Sequence, residues 1–121
     1  RPARREKIFD VLPTEDGATS NKELATYLEW MERSAPGAAV DTIAADSWAA
    51  PKAFFDNLEA LPGPITREAF IAQLRTVDNF DAGGFFGPIR LAPKKTKGCY
   101  VAMRVQGGKW TRLTPAQGFL C

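Results

Sequence analysis

The 121-residue chain has no histidine, only two cysteines and two methionines, and no long apolar run. Without histidine, neither a His-based catalytic triad nor a His-ligated metal can be assembled from its side chains. Two cysteines in this length make at most one staple, which excludes a small disulfide scaffold, and Cys99 and Cys121 lack zinc-ligand spacing. No stretch approaches the roughly 18 apolar residues of a membrane helix. The basic start Arg1, Arg4, Arg5, Lys7 leads into IFDVLP, too short for the core of a signal peptide. Surplus charge is scarce as well: 16 Lys and Arg against 14 Asp and Glu leave a net +2, and the one basic run, KKTK at 94–97, reads as a solvated loop between Pro93 and Gly98. Nucleic acid is therefore not expected as a partner, because a basic footprint is clustered and interleaved with stacking aromatics. Asp78 and Asp81 fall where a helix gives way to a loop and read as solvated carboxylates. DNFDAGG, at 78–84, misses the alternating oxygen donors of a calcium loop. The expectation is a protein that is not an enzyme, with no catalytic residues, no metal and no cofactor.

What is present is ordinary material for one core, 45% hydrophobic and 25% charged. In TSNKELATYLEWMERSAPG, Ser20 and Glu23 have capping-box spacing, and Leu24, Tyr27, Leu28 and Met31 fall at i, i+3, i+4 and i+7 before Pro36-Gly37. This predicts an amphipathic helix, with Trp30 on or beside its apolar stripe. After a short apolar stretch over 38–44, read as a strand, Asp46 and Ser47 are cap-type residues and Pro51 fits a first helical turn, with Phe54, Phe55, Leu58 and Leu61 as the buried face. A third helix follows Thr66 as cap, with Glu68 near its positive end and Phe70, Ile71, Leu74 and Val77 as its stripe.

From Asp81 onward the pattern changes to DAGGFFGPIRLAP and then to two alternating runs around Gly107-Gly108, a hairpin signal because both turn positions tolerate positive φ. With that turn as the loop, Val105 faces Trp110 and Cys99 faces Ala116, which leaves Cys121 five residues past register. The two thiols meet only if PAQG folds the tail back. Two readings are open: unrelated free cysteines, or a disulfide that pins a terminus otherwise prone to fray. The placement around a terminal hairpin favours the disulfide, worth about 3 kcal/mol in the chain-entropy model and indicating an oxidising compartment.

The run AADSWAAPKAFFDNLEAL, then ITREAFIAQLRTVDNFDAGGFFGPIRL, then a Cys-led hairpin with GGKWTRLTP and a closing GFLC, resembles the C-terminal third of the extracytoplasmic solute-binding proteins of branched-chain amino-acid-type ABC transporters. These are type I periplasmic binding proteins. The resemblance spans nearly the whole chain, from LPTEDGATSNKEL to Cys121, and rests on the order of features. It implies an α/β fold, the C-terminal portion of a two-lobed type I periplasmic binding protein with helices on a sheet plus the C-terminal hairpin, closing on a small solute between its lobes, the parallel strands being expected ahead of Arg1. On that pattern residues 1–84 belong to the N-terminal lobe, entered by a hinge crossover near 8–13, and residues 85–121 form a crossover segment and the hairpin. The three helices then need a sheet against Phe54, Phe55, Phe70 and Ile71, so the chain is expected to be a fragment, or one of two chains, completed by the rest of the protein or by a companion or swapped chain.

The resemblance further implies a periplasmic or extracellular location, an amino acid or related small molecule as ligand, and a membrane permease as partner. It puts an aromatic at the start of the helix facing the cleft, a place held here by Trp48 beside Ser47. Packing is the competing role for Trp48, and it is the default for Tyr27, Trp30 and Met31. Phe85 and Phe86 read as core before hinge or gate, and Trp110 as a cross-strand anchor. An extracytoplasmic sensor or receptor domain would share the same features, and a small secreted α+β interaction module is the plainer alternative.

Overall fold

The computed structural model describes residues 6–13, 21–92 and 98–121. Expectations resting on the basic start, on Ser20 and on KKTK lie outside the described residues. The chain is a mixed helix-and-sheet protein: strand β1 (Glu6–Phe9), helices α1 (Lys22–Ser34), α2 (Thr42–Glu59) and α3 (Arg67–Arg75), then strands β2 (Val101–Gln106) and β3 (Lys109–Thr114).

The three strands form one antiparallel sheet in the order β1-β2-β3. Among the described residues no strands pair in parallel; the resemblance places such strands ahead of Arg1. Gly107 and Gly108 both take positive φ, 58° and 79°, so a two-residue turn joins β2 to β3 and sets Val105 against Trp110. A bulge between Ala102 and Met103 then moves Ala102 opposite Thr114. The ladder does not run on to place Cys99 opposite Ala116. Instead the tail loops out and returns, so that Tyr100 pairs with Leu120 through two backbone hydrogen bonds of 2.7 and 2.9 Å. Arg112 secures the loop, its Nη1 donating to the carbonyls of Pro115 at 3.1 Å and Gly118 at 3.0 Å. Cys99 and Cys121 are joined by a disulfide.

Alternation along the strands sorts the side chains as pleating requires. Val101 and Met103 face inward and are buried, while on the outer face Arg104 pairs with Glu6 of β1 at 2.7 Å. Phe9 and Trp110 meet edge to face on the inner side with centroids 5.2 Å apart.

Helix α1 is capped by Asn21, whose Oδ1 accepts from the Leu24 amide at 2.8 Å. Its Nδ2 donates to the Gly83 carbonyl at 2.8 Å, tying the helix start to the turn over 82–84. That turn is left-handed at Ala82, Gly83 and Gly84, and the glycines are needed there: a Cβ on Gly83 would meet Glu23 Cβ at 3.1 Å, and one on Gly84 would meet Asn21 Nδ2 at 3.0 Å. Leu24 and Tyr27 of the expected stripe are fully buried, whereas Trp30 turns outward under the Arg33 guanidinium, 5.5 Å from its ring centroid.

Helix α2 corrects the sequence reading. No strand forms over 38–44; Asp41 caps the helix, its Oδ1 accepting from the Ala44 amide at 2.9 Å, and α2 begins at Thr42. Asp41-Thr42 is as good a start signal as Asp46-Ser47, and only three apolar residues precede it, too few for a core strand. Pro51 therefore lies inside the 18-residue helix. There it removes the bond that would run to the Ser47 carbonyl, at a cost of about 3 kcal/mol that packing must offset. Thr66 caps α3 as expected, its Oγ1 accepting from the Ala69 amide at 3.1 Å. Buried Asn57 links the last two helices, accepting from Gln73 Nε2 at 3.3 Å while donating to Ala53 O.

The core forms where α1 and the first half of α2 pack on two non-helical segments, uniting Val11, Leu12, Leu24, Tyr27, Ala45, Ala49, Ala82, Phe85 and Phe86. Phe85 and Phe86 are core, as expected. The far half of α2 and α3 leave an apolar face in solvent: Phe54 and Phe55 touch each other and Phe54 touches Phe70, yet Phe55 is 57% exposed and Ile65 71%.

Candidate functional site

Two segments that join the sheet to the helices run side by side. Leaving β1, the chain passes through Asp10, Val11 and Leu12; returning from α3 it passes through Phe85, Phe86 and Gly87. Val11 pairs antiparallel with Phe86, the Leu12 amide donates to Phe85 O at 3.0 Å, and the Gly87 amide donates to Asp10 O at 2.6 Å. Chain continuity alone would not bring these segments together; their apolar side chains do, because Val11, Leu12, Phe85 and Phe86 all enter the core.

Beside this ribbon a cleft of about 200 Å³ opens between the sheet and the start of α2, lined by Phe9, Val11, Leu12, Val40, Asp41 and Trp110, with Met103 at its sheet side. That volume lies below the roughly 300–1,000 Å³ of drug-sized sites, so it suits a small solute. Its walls are aliphatic and aromatic, and Asp41 is the carboxylate among the lining residues. Two more acidic side chains stand next in sequence to the lining: Asp10 beside Val11 and Asp46 beside Ala45. Burial, with the Asp10 charge as second cause, raises the Asp46 carboxyl above its ordinary value. Asp41 thus offers the cleft a carboxylate, set at the amino end of α2 where it also caps the helix.

Trp48 and Ser47 do not line this cleft. Because α2 begins at Thr42, Trp48 is in the interior of the helix and not at its amino end. Its ring meets Tyr27 edge to face with centroids 5.7 Å apart, and its Nε1 donates to Glu23 Oε1 at 2.8 Å. Ser47 Oγ donates back to Ile43 O at 3.0 Å. Both border a shallow hollow with Glu23, Pro51 and Lys52. The Lys52 ammonium is held above its ordinary pKa chiefly by its hydrogen bond to Asp56.

The residues that sequence reasoning did not assign to a site are Asp41, Val11 and Leu12, the last two read only as part of a segment, 8–13, expected to cross a hinge. Asp41-Thr42 carried a local signal as a cap; the pairing of 10–12 with 85–87 carried none, since it joins distant segments. Among the described residues no three acidic or cysteine side chains gather where they could hold a metal ion, and no helix is long and apolar enough to cross a membrane. The chain matches no family model, no curated protein and no solved structure.

Proposed function

We propose that the chain is the crossover-bearing C-terminal part of a two-lobed, exported solute-binding protein that delivers an amino acid or related small solute to an ABC-type membrane permease. The observation that carries this reading is the paired ribbon of residues 10–12 and 85–87. It is the arrangement a two-lobed binding protein needs, in which the chain leaves one body and returns to it through adjacent segments that flex together. The cleft lies against that ribbon, where closure of two lobes would enclose a ligand. Its chemistry suits an amino acid with an apolar side chain, the ammonium group at Asp41 and the side chain against Val11, Leu12, Val40 and Trp110. The exposed face of Phe54, Phe55 and Ile65 supports the same reading, because the remainder of a lobe would cover it. An exported sensor would use the same cleft.

Calorimetry on the intact protein with a panel of free apolar L-amino acids tests the proposal. Asp41→Asn is the informative variant, since Asn caps a helix as well as Asp and only the charge is lost. Affinity should fall at least tenfold with the melting temperature unchanged. Binding that survives Asp41→Asn intact, or no binding of any amino acid at millimolar concentration, would defeat the assignment.

A second reading, a secreted α+β interaction module, rests on the exposed α2–α3 face alone. It predicts that Phe55→Ser abolishes capture of a protein partner and leaves solute binding undefined.

A further inference from the structure

The disulfide is placed to act on more than the tail it closes. Gly87, whose amide closes the crossover ribbon on Asp10, is buried directly against Cys99: a Cβ built on Gly87 would stand 2.9 Å from the Cys99 carbonyl oxygen and 3.1 Å from Cys99 Cβ. The main chain at Cys99 is thus the wall on which the ribbon rests. That wall is held by the disulfide, which starts from the same Cys99 Cβ, and by the adjacent Tyr100–Leu120 pair, with the Arg112 guanidinium gripping the loop between. Cys99 is buried and Cys121 is exposed. A reductant therefore approaches from the Cys121 side.

We propose that the Cys99–Cys121 disulfide is a redox latch on the crossover ribbon: oxidised, it holds Cys99 against Gly87 and keeps residues 10–12 and 85–87 paired; reduced, it releases the ribbon to open locally. The chemistry requires a dithiol reductant. Its thiolate attacks the Cys121 sulfur, forming a mixed disulfide as the Cys99–Cys121 bond breaks and Cys99 departs as a thiolate that takes up a proton. The second thiol of the reductant then displaces Cys121, leaving two protein thiols and the oxidised, cyclic reductant. Val11 and Leu12 belong both to the ribbon and to the cleft wall, so the latch sets the rigidity of one side of the cleft. The inference holds whatever occupies that cleft.

Amide hydrogen exchange on the oxidised protein and on the protein reduced with dithiothreitol tests it, read at the Gly87 and Leu12 amides, the two ribbon donors. Reduction should speed exchange at both at least tenfold while the amides of α1 and α3 stay within a factor of two. Cys121→Ser should exchange like the reduced wild type and respond no further to dithiothreitol. Acceleration confined to residues 115–121 would show that the bond holds only the tail, and an equal acceleration across the whole chain would show that it serves global stability alone. Either result overturns the proposal, as does a Cys121→Ser ribbon that exchanges like the oxidised protein.

Discussion

Replacing Tyr27 with phenylalanine should stabilise the protein. The ring is fully buried between Trp48, with centroids at 5.7 Å, and Phe85, at 5.2 Å, and both contacts survive the change. The hydroxyl is a buried polar atom that finds no hydrogen-bond partner. A buried donor left unmade forfeits about 1–3 kcal/mol relative to its hydrated state, while the phenyl ring keeps both ring contacts. Taking the lower end, because the vacated oxygen leaves a small gap, Tyr27→Phe should gain about 1 kcal/mol, or roughly 4 °C in melting temperature for a chain of this size. The pH dependence supplies a second readout. Burial, and secondarily the negative charge of Asp41, raise the Tyr27 pKa above its ordinary value near 10. A folded-state pKa raised above the unfolded one means that the unfolded chain loses this proton first. The contribution of Tyr27 is complete below pH 10 and is lost as pH rises through the raised folded value. The wild type should therefore weaken above pH 10 more steeply than Tyr27→Phe. Thermal melts followed by circular dichroism between pH 7 and 11 measure both effects. A fall of several degrees in Tyr27→Phe at pH 7 would refute the reasoning, since it would mean that the hydroxyl makes a bond worth keeping.

Three further outcomes follow from the packing. Gly87→Ala should cost about 1–3 kcal/mol in denaturant unfolding, because its Cβ meets main-chain atoms that cannot swing aside, whereas Gly63→Ala, with open space and no left-handed φ, should be neutral or slightly stabilising. Asn21→Ala should lose about 1–2 kcal/mol, more than Thr66→Ala, since Asn21 both caps α1 and donates to Gly83; equal losses would mean that the tie to the turn contributes nothing. Trp48→Phe should lower stability by about 1 kcal/mol through loss of its bond to Glu23 and leave solute affinity unchanged, and a fall in affinity at constant stability would return Trp48 to the ligand.

Local signals carried α1, α3 and the hairpin into the sequence reading, because stripe, cap and turn are each written within a few consecutive residues, although the cap of α1 is Asn21, one residue after the Ser20 that capping-box spacing pointed to. The start of α2 was harder, since two cap-type pairs compete, and Pro51 makes the wrong one attractive: proline in a first turn is cheap, proline in mid-helix is not. What decides for Asp41 is Ala45 and Ala49, which the core takes up only if the helix already runs beneath them. The hairpin register was legible from Gly107-Gly108 as far as Met103 and failed at the bulge, for which no residue type gives warning. In the candidate site the aromatic content was visible and its placement was not. Trp48 has the local surroundings of a cleft residue, but its indole is committed to Glu23 and Tyr27 by side chains 25 and 21 positions away, the latter being 48 minus 27. The cleft depends on segments 10–12 and 85–87 meeting, and hydrophobic runs announce that they will be buried without naming their neighbour.

The sheet has a temporal consequence. Arg104 bonds to Thr111 across 7 residues and to Glu6 across 98. Closing the longer loop costs about 2 kcal/mol more in chain entropy, from (3/2)RT times the logarithm of the ratio. On chain entropy alone the hairpin β2–β3 is therefore the cheaper half of the sheet to close, and β1 the dearer. On a ribosome β1 is made long before β2, and until Val101 emerges Phe9 waits without its partner.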